Sequence, residues 1–314
     1  MNINESIQYQ ALINSGKCYP KRLEEINQEL PYFEIYKNNH NRRDIRFFNY
    51  ENEDNAPRAP YIADYLKKNI LPNVDRDYNI NGFYNIELHD SYTYRDKYLV
   101  EDTDYTNVLT FAKFKGEKGP VLIPDIYQLG NYGNTLQFED KTAIDKKMPK
   151  VIFRGGTTGI RNPEENKRID MCKWALNKPL LDFKITNVVQ MNATLDPSIM
   201  AQPMPINDQL NYRYIFSMDG NTSKFDIWPY KTNSVVLKYE STEMLWYYPL
   251  MMDKFHYLDV TKDTLENTVN HINNNLVEGQ IININARRFV HEILKPISPQ
   301  IYTVALFDGI GENA

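Results

Sequence analysis

The stretch Val151–Asn162, VIFRGGTTGIRN, decides how the second half of this chain reads. Val151, Ile152 and Phe153 have the character of a buried strand, and Arg154 with Gly155, Gly156 and Gly159 marks a tight turn leaving it. The following run, NPEENKRIDMCKWALN, offers Asn162 as an N-cap and Pro163 at the first helical position. Glu164 and Glu165 then fall in the first turn, where negative charge suits the helix dipole, and Ile169, Cys172 and Leu176 recur at helical spacing. Glycines in such a strand–loop–helix unit let backbone N–H groups approach an anion at a helix N-terminus. Arg154 and Arg161 would add charge-assisted bonds there, and Thr157 and Thr158 would add hydroxyls. The same residues also suit an ordinary turn with solvated charges. The loop is neither a Walker P-loop, lacking Gly-Lys-Ser/Thr, nor a G-x-G-x-x-G dinucleotide turn.

Downstream, FKITNVV, YRYIFSM, SVVLK and FHYLDV read as short strands. STEMLWYYPLM suits a short helix begun by Ser241 or Thr242, and TLENTVNHINNNL and GQIININARRFVHEIL read as closing helices. Strands alternating with helices predict an α/β fold with a mostly parallel, doubly wound sheet, which binds ligands at the carboxyl ends of its strands. One such end is YIFSMDGNTSKFDIW, residues 214–228, where Asp219, Gly220 and Asn221 form a strong turn signal followed by Ser223 and Lys224. This loop is either a second phosphate-side loop with Lys224 as its cation or a surface turn.

Residues 1 to about 145 are polar, rich in Asn, Asp and Tyr, and weakly periodic. Strands are predicted at Phe83–Leu88 and Val108–Phe114 and a short helix around Tyr61–Lys68, with Pro120, Pro124 and QLGNYGN favouring irregular structure. In FYNIELHDSYTYRD, Asp90 follows an apolar strand, the setting in which a carboxylate can serve as a general base. Asp75–Asp77 and Asp102–Asp104 both match D-x-D, a pattern that can hold a divalent metal, but both lie in strongly polar runs and read as solvated loops. The five histidines show no metal-binding spacing.

The bulk properties narrow the function further. A chain of 314 residues, 42% hydrophobic and 25% charged, is globular and long enough for two domains. The net charge of -5 and the lack of a long Lys/Arg run argue against a nucleic-acid partner. No apolar run approaches the ~20 residues needed to span a bilayer, and MNINESIQYQ lacks the regions of a signal peptide. Two cysteines, Cys18 and Cys172, give no disulfide framework, so a cytoplasmic location is expected.

Taken in order, VIFRGGTTGIR, NYRYIFSMDGNTSKF and SVVLKYESTEMLWYYPLMMDKFHYLDV resemble glycosyltransferase family 90, which contains capsule-associated xylosyltransferases and Rumi-like protein O-glucosyltransferases. The likeness is good over about residues 150 to 295 and thin before that. It implies a GT-B-like fold, two Rossmann-like domains facing a central cleft. The expected domains are 1–145 on the acceptor side and 146–295 for the UDP-sugar, with 296–314 packing back on the first. It further implies an inverting, metal-independent enzyme that needs no cofactor and moves a sugar, glucose or xylose, from a UDP-sugar to a glycan or protein hydroxyl. The short match of YNIELHDSYTY puts the base at Asp90, with Asp96 as the fallback. Arg154, Gly155, Gly156, Thr157, Thr158, Arg161, Asp219, Gly220, Asn221, Ser223, Lys224, Ser234 and Glu243 would surround the donor, without a metal site. Two departures stand out: the family's phosphate-contacting Arg falls on Lys224, and its Glu before the aromatic run falls on Leu245, with Glu243 two positions away. The absence of the signal and disulfides of secretory members points to a bacterial or viral relative. The competing readings are a nucleotide- or glycan-binding protein without catalysis, and a metal-dependent D-x-D transferase.

Overall fold

A computed structural model of the chain describes residues 3–15, 18–26, 28, 31–51, 56–88, 108–116, 120–125, 128, 137–160, 162–220 and 227–312. Two compact units result: Met1–Gly133 with Glu243–Leu250 and Ile293–Ala314, and Asn134–Thr242 with Met251–Glu292.

The first unit contains helices α1 (Ile3–Ser15) and α2 (Arg58–Tyr65) and strands β1 (Tyr32–Lys37), β2 (Arg43–Phe48), β3 (Gly82–Ile86), β4 (Val108–Thr110), β5 (Lys113–Phe114) and β6 (Val121–Leu122). Its main sheet runs in the order β2-β1-β3-β4-β6, antiparallel over the first three strands and parallel over the last. The β1–β2 hairpin has no counterpart in the sequence reading. It alternates, with Phe33 and Ile35 buried and Tyr32, Glu34 and Tyr36 on the other face, and an Asn-rich turn closes it. Asn41 takes the left-handed conformation there (φ 56°), and the Asn38 carboxamide accepts from the His40 and Arg42 N–H groups. α2 continues into a π-helical turn, Leu66–Ile70, and the C-terminal helix Ser298–Glu312 packs against α1.

The second unit carries the parallel sheet that the sequence predicts. Its elements are β7 (Met148–Gly155), α3 (Lys167–Trp174), β8 (Leu181–Ile185), α4 (Ile206–Gln209), β9 (Tyr212–Met218), α5 (Ile227–Tyr230) and β10 (Val235–Tyr239). The expected helix at STEMLWYYPLM is absent. β11 (Glu243–Met244) occupies its start, paired antiparallel with β5 in the first unit, and a single turn of 3-10 helix, Tyr248–Leu250, follows. Leu245, Trp246, Tyr247 and Tyr248 are all buried, so this run has no solvated face for an amphipathic helix to present. The second unit then finishes with β12 (Leu258–Val260), α6 (Leu265–Asn274) and α7 (Leu276–Glu292).

The sheet order is β12-β10-β9-β7-β8, parallel throughout. Central strands β9 and β10 are buried on both faces, which explains their continuous apolar runs, whereas edge strand β8 alternates buried with half-buried residues. Phe153, Phe183, Phe216 and Tyr239 pack as one aromatic row, Phe183 and Phe216 only 4.5 Å apart between centroids. The chain passes from β7 outward to β8 and then crosses back to β9 on the other side of β7. The direction of winding therefore reverses between β7 and β9, the topological switch point at which such sheets form a ligand crevice.

Cys18 and Cys172 are buried and unlinked, and burial pushes both thiols up to about 12. No helix among the described residues is long and apolar enough to cross a membrane. His256 is buried between Phe255 and Phe289, with Nδ1 accepting from the Met252 N–H at 3.0 Å. Burial pushes its pKa down to about 4 from the ordinary 6.5. Between those values the unfolded chain binds the proton and the folded chain does not. Stability is therefore full above pH ~6.5 and falls by about 3 kcal/mol as pH drops toward 4. Urea midpoints taken across this range should show that slope, and His256→Asn, which keeps an acceptor, should flatten it. A wild-type midpoint constant from pH 7 to 4 would contradict the assignment.

Candidate functional site

The Gly loop lies at the carboxyl end of β7, and the Asp219–Gly220 turn lies at the carboxyl end of β9. These strands are hydrogen-bonded neighbours, so two motifs about 60 residues apart in sequence meet at the switch point. Gly159, in the left-handed region at φ 107°, carries an ideal Cβ position 3.3 Å from the Gly220 carbonyl oxygen. Both the backbone conformation and that closeness favour glycine.

One residue that the sequence reading did not single out joins the two loops. Arg168, on the first turn of α3, donates from Nη1 to the Gly156 carbonyl (3.1 Å) and to Thr158 Oγ1 (2.8 Å). Its Nη2 donates to the Met218 carbonyl (2.9 Å) and its Nε to the Asp219 carbonyl (3.2 Å). All four of these acceptors are uncharged. The guanidinium also sits 5.7 Å from the centre of the Phe153 ring. A Cβ on Gly155 would lie 3.3 Å from Arg168 Nη1, and one on Gly220 would lie 2.7 Å from Nη2. Gly155, expected to let an anion approach, and Gly220 therefore clear space for this guanidinium, together with the Phe153 ring and the Thr158 hydroxyl. The sequence reading held no signal for it, because a helix capped at Asn162 places Arg168 beyond the first turn, and only the observed cap at Asn166 brings it there.

The remaining predicted residues divide. Arg154 does not face the loop. Alternation along β7 sends it to the face opposite Phe153, where Nη1 donates to the Asp182 carbonyl (2.8 Å) and Nη2 to Asp182 Oδ1 (2.8 Å). The Tyr212 hydroxyl donates to the other carboxylate oxygen at 2.6 Å, so the Arg154 charge is matched within the sheet. Thr157 is fully buried, its hydroxyl donating to the Val189 carbonyl and accepting from the Val189 N–H, both at 2.8 Å. It fastens the Gly loop to the segment after β8. Gly156 lies against the Asn187 side chain. Thr158 reaches the crevice through Arg168, and the Asp219 carboxylate accepts from the Thr242 N–H at 3.1 Å.

The helix start differs from the sequence reading. The N-cap is Asn166, whose side chain accepts from the Arg168 and Ile169 N–H groups, both at 3.1 Å. Its amide also donates to the Thr157 and Ile160 carbonyls, closing the loop. Asn162 forms its own turn, accepting from the Glu164 N–H. Asn166 thus takes up the second and third amides of the helix, and among the described residues Arg168 brings a cation to this crevice.

Ser234 stands at the other end of the sheet. Val235 is in register with Tyr214, so Ser234 lies roughly 16 Å of strand away from the carboxyl end of β10. It is buried, donating to the Tyr212 carbonyl (2.7 Å), and the Asn283 amide donates to its own carbonyl (2.9 Å). These bonds anchor the start of β10, at the end of the sheet away from the Gly loop. Glu243 is buried in β11 of the first unit. Asp75 accepts from the Asp77 N–H in a tight turn, while its own N–H donates to Asp308. Asp90, Asp96, Asp102, Asp104, Arg161, Asn221, Ser223 and Lys224 lie outside the described residues.

Residues 130–311, more than half of the chain, match the sequence model described as Glycosyl transferase family 90. No curated protein matches the chain. Among solved structures, one described as "Crystal Structure of TarM" superposes with a TM-score of 0.43 and 10% identity. That superposition covers 75% of this chain and 48% of the other, so this chain spans about half of its length.

Proposed function

Because the chain belongs to glycosyltransferase family 90, we propose that the glycosyl group it transfers comes from a UDP-sugar, glucose or xylose, and goes to a glycan or protein hydroxyl. The reaction in this reading inverts the anomeric carbon, uses no metal, and draws its donor from the second unit. The observation that carries the reading is the meeting of the Gly loop and the Asp219–Gly220 turn at the β7/β9 switch point with the Arg168 cation between them. An oriented guanidinium in a partly buried crevice stabilises a departing diphosphate without further reorganisation. Asp90 is the general base in this scheme. It takes the acceptor hydroxyl proton as that oxygen attacks C1, and the bond from C1 to the diphosphate breaks with its electron pair leaving on UDP. Lys224 would contribute a second cation as a point charge, without the forked geometry of arginine.

The experiment is UDP release from a panel of UDP-sugars, with and without simple glycan acceptors. Release from UDP-glucose or UDP-xylose above the other donors is expected, and it should persist after chelation of divalent metals. No release from any donor, together with no UDP binding by calorimetry, would sink the proposal. Binding without release would favour the non-catalytic reading, and chelator sensitivity the D-x-D reading.

A further inference from the structure

We propose that Arg168 is the positioning residue of the donor site, a strut whose hydrogen bonds fix the separation of the two crevice lips. This rests on the reading of the crevice as a nucleoside-diphosphate site. The argument starts from how the donors are distributed. The two bonds from Nη1 end on the Gly loop, at Gly156 and Thr158, whereas those from Nη2 and Nε end on the close of β9, at Met218 and Asp219. One rigid, planar group thus bridges the first and third strands of the winding order at the point where their connecting paths diverge. β-sheet hydrogen bonds between β7 and β9 pair Met148 with Tyr212, Val151 with Tyr214 and Ile152 with Ile215. Beyond Ile152 the register of this pair ends, and Arg168 supplies the cross-links that the ladder no longer provides.

The surroundings are shaped to this one side chain. Asn166 caps α3 and so fixes where Arg168 leaves the helix. Phe153 packs under the guanidinium, and Gly155 and Gly220 leave out the Cβ atoms that would crowd it. The positioned groups are the backbone from Gly156 to Gly159 and the Asp219–Gly220 turn, against whose outer edges the diphosphate would sit. Lysine keeps the charge of arginine but has one nitrogen in place of three, so it cannot meet all four acceptors on the two lips at once.

That difference supplies the test. If the fork matters, Arg168→Lys weakens UDP binding nearly as much as Arg168→Ala, by about tenfold to a hundredfold, the scale of losing charge-assisted bonds. The donor KM rises accordingly while the acceptor KM stays within about twofold, a split that general destabilisation would not produce. Gly220→Ala, which keeps the charge but whose Cβ would crowd both Thr158 Oγ1 and the guanidinium bonded to it, raises the donor KM in the same direction. Combined with Arg168→Lys it adds little, because both changes remove the same bridge. In the ligand-free protein, amide exchange in peptides covering 153–160 and 216–220 speeds up in Arg168→Lys. Wild-type UDP affinity in Arg168→Lys, with loss only in Arg168→Ala, would make the residue a simple charge and overturn the strut. Unchanged amide exchange in Arg168→Lys would overturn it as well. Absence of UDP binding by the wild type is a separate result, which removes the donor-site reading and this inference with it.

Discussion

Asp90→Asn is expected to lower transfer by about a thousandfold, within the 10²–10⁴ range that a positioned general base contributes. Asparagine matches the carboxylate in shape but cannot accept the acceptor's proton. The attacking oxygen would then have to lose that proton to water as it forms the bond to C1. UDP affinity should change by no more than about twofold, since a base acting on the acceptor does not touch the nucleotide. The measurement is a single-turnover rate beside a UDP titration by calorimetry. The acidic limb of the pH–rate profile should disappear with the carboxylate. Wild-type turnover in Asp90→Asn would move the base elsewhere, with Asp96 the next position to replace.

The second large effect is on stability. Lys147 and Asp140 form an ion pair at 2.7 Å with side chains 0% and 2% exposed. Lys147 also donates to the Leu210 carbonyl, and Asp140 accepts from the Asn233 N–H at 2.7 Å. The Asn233 side chain returns to the carbonyls of Asp140 and Thr142. The cluster gathers the amino ends of β7, β9 and β10, opposite the crevice. Burial already holds the Lys147 pKa below its usual range, with Asp140 opposing that shift. Asp140→Asn would leave the ammonium buried without its counter-charge, at a cost of about 3–5 kcal/mol. Against a total stability of roughly 5–15 kcal/mol, that loss should produce a large drop in the urea midpoint. A Lys147→Met, Asp140→Leu double variant should recover most of it, because apolar packing replaces the pair without leaving a buried charge. An unchanged midpoint in Asp140→Asn would show that the buried pair does not hold the sheet.

The parallel sheet was legible because its central strands β9 and β10 are buried on both faces. YRYIFSM coincides with β9, and SVVLK with most of β10. The β1–β2 hairpin was not legible, since Tyr32, Glu34 and Tyr36 face away from the core and break the apolar signal into single residues. The helix start was misread because Asn162 and Asn166 both suit a cap. Asn166 wins by its added bonds to Thr157 and Ile160, which are set by the closed loop rather than by sequence spacing. STEMLWYYPLM suits a short helix only until the burial of Leu245, Trp246, Tyr247 and Tyr248 is known.

The sequence by itself determined the α/β class, the strand–Gly loop–helix unit and the ordered motifs of glycosyltransferase family 90, because each depends on local spacing or on residue order. Which arginine among the described residues stands at the crevice was decided only in three dimensions. Arg154 lies inside the motif but is turned by strand alternation toward Asp182, 28 residues away. Arg168 lies outside it, but crosses from α3 to both loops because β7 and β9 are neighbours in the sheet. Strand order is a long-range pairing, and no local pattern around either arginine encodes it.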